Sequence, residues 1–471
     1  MKKDTALYGL IPSMKRTVLL SLIPILTLAL ASQAAQTVTS ISAGGIPAGH
    51  SLFLKSDGSL WAMGYNQYGQ LGDGKNSNTN RLEQIAASGV TAIAAGSYHS
   101  LFLRSDGSLW AMGDNINGQL GNGTYSTNSP YGTNRPGQII VGGVTAVAAG
   151  NSHSLFLKSD GSLWGMGFNE YGQLGDGTFV NTNLPEQIVA GSVTAIAGGD
   201  VHSLFLKSDG SLWAMGYNAH GGLGDGTYST NYPYGTNLPE QIVASGVTAI
   251  AAGYYHSLFI KSDGSLWAMG YNTFGQLGDG TYNDTNLPEQ IVASGVTAIA
   301  AGYFHSLFIK SDGSLWTMGK NSDGELGDGT FNKTSVPEQI VASGVTAIAA
   351  GYAHSLFSKS DGSLWGMGTD FSGALGDGFH DGTAIPEQIL PVLQPVLSAA
   401  LSSKSNLQFT ATCGFGGNFY LLGSTNLALP MSQWKRLGTN SVNAPGTNNY
   451  SFTLTNSVKV GASQFYILQS Q

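Results

Sequence analysis

Charge and cysteine are both scarce in this chain. A single cysteine, Cys413, among 471 residues excludes an internal disulfide. Charged residues make up only 10% of the sequence, low for a cytosolic enzyme, and no basic tract is present to neutralise phosphates. Nucleic acid is therefore not an expected partner. The net charge is −8, and −11 once the first 34 residues, with Lys2, Lys3, Lys15 and Arg16 against Asp4 alone, are set aside. No nucleophile with a base, no phosphate-cradling loop before a helix and no paired-carboxylate motif stands out. The sequence thus points away from an enzyme and calls for no cofactor.

Glycine, by contrast, is abundant: 67 residues, about twice the ~7% of average usage. Hydrophobic residues at 42% and aromatics at 10% exclude disordered filler. The organising feature is HSLFLKSDGSLWAMG, from His50 to Gly64, which returns at His99, His153, His202, His256, His305 and His354. Each copy carries its tryptophan at the same offset: Trp61, Trp110, Trp164, Trp213, Trp267, Trp316 and Trp365. The histidines are spaced by 49, 54, 49, 54, 49 and 49 residues. One unit is used seven times, and a repeat at fixed period outranks any local reading.

Within the unit, short apolar runs flank Ser56-Asp57-Gly58. Asp-Gly between strand-length runs is a hairpin signal, because glycine supplies the positive φ of a tight turn. Adding the constant phrases GVTAIAAG and PEQIVA gives four short strands per unit: VTAIAAG, HSLFLKS, SLWAMG and EQIVA. A four-stranded antiparallel sheet per repeat is the signature of a propeller blade. The fold class is therefore all-β, a seven-bladed β-propeller over residues 38–390. Whether a blade is one whole repeat or borrows a strand from its neighbour stays open.

Two segments flank the ring. Lys15 and Arg16 precede the apolar run from Thr17 to Ala31 and the small-residue exit Ser32-Gln33-Ala34, the pattern of a signal peptide over residues 1–34. That run falls short of the ~20 residues a membrane span needs. The expectation is a secreted, periplasmic or cell-surface protein with no span after cleavage. Residues 391–471 lack the repeat. Strand-like runs at Leu407 to Cys413, Phe419 to Gly423, Trp434 to Leu437, Tyr450 to Thr455 and Phe465 to Leu468 predict a small C-terminal β-sandwich-like module.

The phrase Gly-x-x-His-Ser, then Asp-Gly, then Leu-Trp-x-Met-Gly-x-Asn-x-x-Gly-Gln-Leu-Gly resembles the repeat of the regulator of chromosome condensation family. The resemblance covers residues 38–390 and implies a seven-bladed propeller without fixing an activity. Members include a nuclear guanine-nucleotide exchange factor, a plant UV-B receptor and a secreted bacterial inhibitor of β-lactamases. Light sensing is set aside, because no tryptophan stands just before the repeat histidines. The secreted inhibitor, sharing repeat and expected compartment, is the favoured analogy.

Strand order then sorts the loops. The Gly-x-x-His and Met-Gly-x-Asn loops must emerge on one face, the Ser-Asp-Gly hairpins on the other. The hairpin face hardly varies among the seven copies. The other face differs at every copy: Tyr65 and Tyr68, Asp114 and Asn117, Phe168 and Tyr171, Tyr217 and His220, Tyr271 and Phe274, Lys320 and Asp323, Thr369 and Ser372. Aromatics on loops either pack or bind, and central aromatic anchors carry ~2 kcal/mol or more each at interfaces. Tyr65, Phe168, Tyr217 and Tyr271 are candidates for packing between blades. The candidate partner-binding residues are Tyr98, Tyr254, Tyr255, Tyr303, Phe304 and Tyr352, arranged as a ring, with Tyr68, Tyr171, His220 and Phe274.

The constant residues read as structural. Seven equivalent histidines are spread around a ring and cannot converge on one ion at about 2 Å, so His99, His153, His256 and their copies are expected as buried imidazoles holding backbone, not a metal site. Trp110, Trp164, Trp267 and their copies are expected in the core, at a cost of roughly 3–5 kcal/mol for losing one. Leu-Gly-Asp-Gly lacks the spacing of a calcium loop and reads as turn chemistry. Cys413 has no histidine nearby in sequence and reads as a structural thiol.

These features predict a monomeric, non-enzymatic binding protein whose partner is an extracellular or periplasmic protein, or a glycan. Two other classes stand beside it: an exchange-factor-like regulator of a small GTPase, and a carbohydrate-directed protein with two facing carboxylates.

Overall fold

The computed structural model describes residues 37–45, 49–129 and 131–390, together with the backbone of six strands between residues 396 and 470. The proposed signal peptide and the three extra residues 46–48 of the first copy lie outside the described residues. No described helix is long and apolar enough to cross a membrane.

The first blade contains β1 (Val38–Gly44), β2 (His50–Lys55), β3 (Leu60–Gly64) and β4 (Thr79–Ala86), paired in that order and antiparallel throughout. Six further four-stranded sheets repeat this order through residue 390. Each blade is therefore one whole repeat, with no strand borrowed from a neighbour. The sheets follow from local chemistry. Gly58 adopts φ 75° at the tip of the β2–β3 hairpin, and Asp57 Oδ1 accepts from the Ser59 amide at 2.9 Å, so the turn is held from both sides. The outer strands carry a proline in six of seven copies (Pro136, Pro185, Pro239, Pro288, Pro337, Pro386), tolerated there because an edge strand has amides with no ladder partner.

The second strand of every blade is buried on both faces, which is why it reads as a continuous apolar run rather than an alternation. Its leucines and its phenylalanine face opposite seams. Leu52, Leu54 and Leu60 of the first blade pack with Val90, Phe102 and Met112 of the second, and the same interdigitation recurs around the molecule. The last seam closes it: Val38, Phe53 and Met63 meet Leu356, Leu364 and Leu375 of the seventh blade.

The tryptophans differ from expectation. Each lies half-buried on the third strand, stacked parallel to the phenylalanine of the second strand at 6.0–6.3 Å and covered by a Lys or Arg at 3.8–4.7 Å. The indole nitrogen donates to the serine two residues earlier at 2.8–2.9 Å. These side chains cap the seams from outside instead of filling them, so removing one costs less than a fully buried aromatic.

Beyond the blades, strands Val396–Leu401, Leu407–Cys413 and Asn448–Leu454 form one three-stranded sheet; Lys435–Val442, Gly417–Ser424 and Phe465–Ser470 form another. The first of these strands was not expected. The sandwich packing itself and the environment of the Cys413 thiol lie outside the described residues.

Candidate functional site

The two faces separate as the strand order requires. Backbone amides of Tyr65, Asp114, Phe168, Tyr217, Tyr271, Lys320 and Thr369 donate to carbonyls of the residue just before the repeat histidine, tying both variable loops together. On the other side, the Val90 amide donates to the Gly58 carbonyl, so the hairpin and the return connection share the uniform face.

Beneath the variable loops runs a belt of imidazoles. Each repeat histidine is fully buried and its Nε2 meets the serine hydroxyl of the next blade at 2.9–3.1 Å. That serine has one proton and gives it to a backbone carbonyl at 2.7–2.8 Å, such as Ser100 to Gln70. The imidazole must then be the donor, which places its proton on Nε2. Burial holds His50, His153 and His256 down at about 3, and His99, His202 and His354 at about 4, so the belt is neutral. Nδ1 points at a glycine, which explains the Gly-x-x-His spacing: a Cβ on Gly96 would lie 2.4 Å from the His99 ring.

Above the belt, the aromatic side chains join. Phe168, Tyr171, Tyr217, Tyr255, Tyr254 and Tyr303 form a continuous chain of ring contacts ending at Tyr352, with successive centroids 3.7–5.9 Å apart. His220 lies 5.2 Å from Tyr255 and 4.7 Å from Tyr271, and its Nδ1 pairs with Asp284 at 2.8 Å. Phe274 and Phe304 are joined at 4.6 Å. Tyr68 and Tyr98 make a separate cluster with Tyr65, at 4.7 Å from each other. The aromatic side chains therefore form an arc over the third to seventh blades and an island at the first and second, not a ring. The breaks fall where copies carry Asp114, Asn117 and Ser152, and again Ala353, Thr369 and Ser372. All ten candidate partner-binding residues are half-buried, including Tyr68, Tyr171, His220 and Phe274. The packing role expected for Tyr65, Phe168, Tyr217 and Tyr271 and the surface role expected for the others are shared by one layer. Burial raises Tyr98 to about 12, and burial followed by the Tyr254 hydroxyl raises Tyr255 and Tyr303 further.

Sequence reasoning, which noted the two loops YSTNSPYGTN and YSTNYPYGTN as five residues longer than the other copies, left their tyrosines out of the site. Tyr131 lies 6.4 Å from Tyr68, Tyr234 lies 6.4 Å from Tyr217, and Tyr232 is 69% exposed beside Tyr234. Tyr131 and Tyr234 both adopt φ 61°, a left-handed backbone rare for aromatic residues. The matched YSTN…PYGTN phrases were the signal. In the sixth copy an ion cluster takes the aromatic place: the Lys320 ammonium pairs with Asp323 and, at 2.9 Å, with Glu325. Among the described residues no three His, Cys, Asp or Glu side chains are grouped to hold a metal ion. The Leu-Gly-Asp-Gly turns are held internally: Asp73 accepts from Asn66 Nδ2 at 3.0 Å and from the Lys75 amide at 2.9 Å.

Residues 81–419 match the RCC1-like domain, and residues 57–103 and 38–70 match the regulator of chromosome condensation (RCC1) repeat. Protein RCC2 of Mus musculus is 27% identical over 144 residues, 29% of this chain and 27% of that protein, and human RCC2 aligns over the same shares. The chain thus spans about a quarter of the length of these relatives. Among solved structures, human WBSCR16 (TM-score 0.63, 22% identity, 72% of this chain and 96% of that one) shares the fold. So does Prp20p from Saccharomyces cerevisiae, described for its binding to Gsp1p and histones (TM-score 0.63, 22% identity, 78% and 89%). These relatives are mouse, human and yeast proteins and not secreted ones, which overturns the expected secreted, periplasmic or cell-surface location. That expectation rested on a short apolar run behind two cations and the small-residue exit Ser32-Gln33-Ala34. The seven sheets, the repeat and the match over residues 81–419 together establish that this chain belongs to the RCC1-like domain family of β-propellers.

Proposed function

We propose that this chain is a non-catalytic binding propeller that takes a protein partner on its variable face, with the aromatic arc from Phe168 to Tyr352 as the contact surface. The observation that carries this reading is the contrast between faces. One face repeats the same Ser-Asp-Gly hairpin, while the other gathers half-buried aromatic rings over five adjacent blades. Aromatic rings with polar tips suit interfaces because they offer large rigid area at low entropic cost. The two left-handed tyrosines at the rim add backbone strain of the sort that clusters at ligand clamps.

A photo-crosslinking amino acid placed at Tyr255 tests this against one placed at Ser208 on the opposite face. The expected outcome is a discrete crosslinked protein from position 255 and none from 208, lost when Phe304 is changed to Ala. Equal yields from both positions would exclude the arc as the contact surface.

A second reading is regulation of a small GTPase. Family membership favours it, since Prp20p is described as binding Gsp1p. Nucleotide release from a loaded GTPase, measured with and without this chain, separates a regulator from a passive binder.

A further inference from the structure

At the centre of the variable face the axial channel opens into a cup of about 100 Å³. In six of the seven copies its lip is formed by the residue that follows the Gly of the Gly-x-x-His motif, and these six fall into two unlike halves. Ser97, Asn151 and Asp200 come from three consecutive blades, and Tyr254, Tyr303 and Tyr352 from the next three. The boundary falls between Asp200 and Tyr254, whose segments are joined by the Asp200 amide donating to the Gly253 carbonyl at 3.0 Å. Tyr254 and Tyr303 lie with centroids 3.8 Å apart and Tyr303 and Tyr352 4.5 Å apart, making a continuous aromatic wall.

Among the described residues Asp200 is the one acidic side chain on this lip, and it forms no ion pair with any of them. Its Oδ1 accepts from Asn151 Nδ2 at 2.6 Å. Three neighbouring tyrosines, Tyr171, Tyr255 and Tyr303, are raised in part by its negative charge, so the carboxylate stands close to the aromatic sector and works against it. Burial pushes Asp200 itself up to about 7, the behaviour of an acid lacking a counter-charge. A carboxylate beside a wall of aromatic rings is a combination that binds an organic cation: the acid supplies charge and hydrogen-bond acceptance, and the rings cover the apolar body of the side chain that carries the charge.

We infer that the mouth of the axial channel is a seat for one cationic side chain, an arginine guanidinium or lysine ammonium presented by a protein partner, held between Asp200 and the Tyr254–Tyr303–Tyr352 wall. This inference rests on the protein-binding reading above and gives that surface its central specificity. The net charge of −8 favours approach of such a partner. Inorganic cations are less suited, because Asp200 is the one carboxylate among the residues lining the cup and a metal needs several oxygen ligands.

The test uses the full chain and a capped Gly-Ser-Arg-Ser-Gly peptide, with citrulline or norleucine replacing arginine as neutral counterparts. Binding is followed by calorimetry and by tyrosine ring resonances. The arginine peptide is expected to bind saturably, with the neutral peptides at least ~10-fold weaker, since losing a charge-assisted or cation–π contact of about 1.4 kcal/mol is a factor of ten. Asp200→Asn, which keeps the size of the side chain, should weaken the arginine peptide by a similar factor. Tyr303→Phe should retain binding and Tyr303→Ala lose it, and Glu186→Gln on an exposed outer strand should change nothing. Equal binding of the citrulline peptide, or an unaltered affinity in Asp200→Asn with an unchanged melting temperature, would overturn the seat. A partner that crosslinks at position 255 yet ignores Asp200→Asn would also overturn it while leaving the protein-binding reading intact. Arginine-peptide binding without any crosslinked partner would uphold the seat and remove that reading instead.

Discussion

His354 Nε2 and Ser51 Oγ stand 3.1 Å apart, joining two residues separated by 303 positions in the chain. The same pair links every other neighbouring set of blades, but there a covalent connection also runs between them. At this seam, among the described blades, no chain connection runs between the first and the seventh, which are held by side chains, packing and the Gly378 amide donating to the Asn80 carbonyl at 2.9 Å. Ser51→Ala should therefore cost about 1–3 kcal/mol, the price of leaving a buried imidazole donor unpaired. Hydrogen exchange should show the first and seventh blades losing protection before the fourth. Ser203→Ala, which breaks the same contact at an internal seam, should cost a similar amount without that end-to-end order. Uniform loss of protection in both variants would contradict a special closing seam.

Acid should destabilise the ring. A histidine held near 3 or 4 when folded and at 6.5 when unfolded binds fewer protons in the native state between those values. Its contribution is complete above pH 6.5 and lost as the pH falls toward 4. Asp114, Asp200 and Asp370, raised to about 6, about 7 and about 8, and Glu240 and Glu325, also raised by burial, act in the opposite sense over the same window, but they are five against seven. Denaturant midpoints at pH 7.5, 6 and 4.5 should fall in that order; a midpoint that rises on acidification would refute the neutral imidazole belt.

Asp370 is a misfit that the protein can lose with profit. Six copies place an asparagine here, whose Nδ2 donates to the side-chain oxygen of the residue seven positions on, an aspartate in five of them, as Asn66 does to Asp73, and Asn122 in the second copy. In the seventh copy Asp370 is buried, its Oδ1 accepts from the Leu375 amide, and its Oδ2 has no partner. Burial, with Asp377 and Glu387 adding repulsion, raises it to about 8. Its folded form binds a proton more tightly than its unfolded form, so stability declines as pH rises from about 4 to about 8. Asp370→Asn should stabilise by about 1–3 kcal/mol near neutral pH, with the gain over wild type growing across that range. A gain independent of pH would mean the proton is not involved.

Two glycines separate local from tertiary constraint. A Cβ at Gly150 would lie 2.1 Å from the His153 ring and 2.3 Å from the Gly199 carbonyl, although its backbone is unexceptional. Gly143 has φ +83° and open space around it. Gly143→Ala should cost about 1 kcal/mol for the left-handed backbone alone. Gly150→Ala should cost several-fold more or prevent folding, as read from melting temperature and soluble yield.

Much of this molecule is legible in the sequence because the repeat turns weak signals into strong ones. Four strands per unit, the Asp-Gly turn and the sidedness of the loops follow from patterns such as Ser56-Asp57-Gly58 and Leu60-Trp61-Ala62-Met63. The half-buried capping position of the tryptophans was not legible, since a lysine or arginine laid over an indole leaves no mark in an apolar pattern. Nor was the arc. Tyr131 and Tyr234 are distant in sequence from Tyr68 and Tyr217, and only the fold of their loops brings the rings together. The Asp370 anomaly was readable by comparing the copies, where six read Met-Gly-x-Asn and one reads Met-Gly-x-Asp.

By itself the sequence determined how many sheets there are, the order of strands within each and which loops vary, since these depend on local backbone preference and on period. Only the tertiary structure decided that each imidazole reaches across to the next blade and that the Asp200 carboxylate and three tyrosines line one cup at the axis. Closure of a ring brings together residues that are one repeat or six repeats apart, and no local pattern encodes which side chains will face each other across a seam or around an axis.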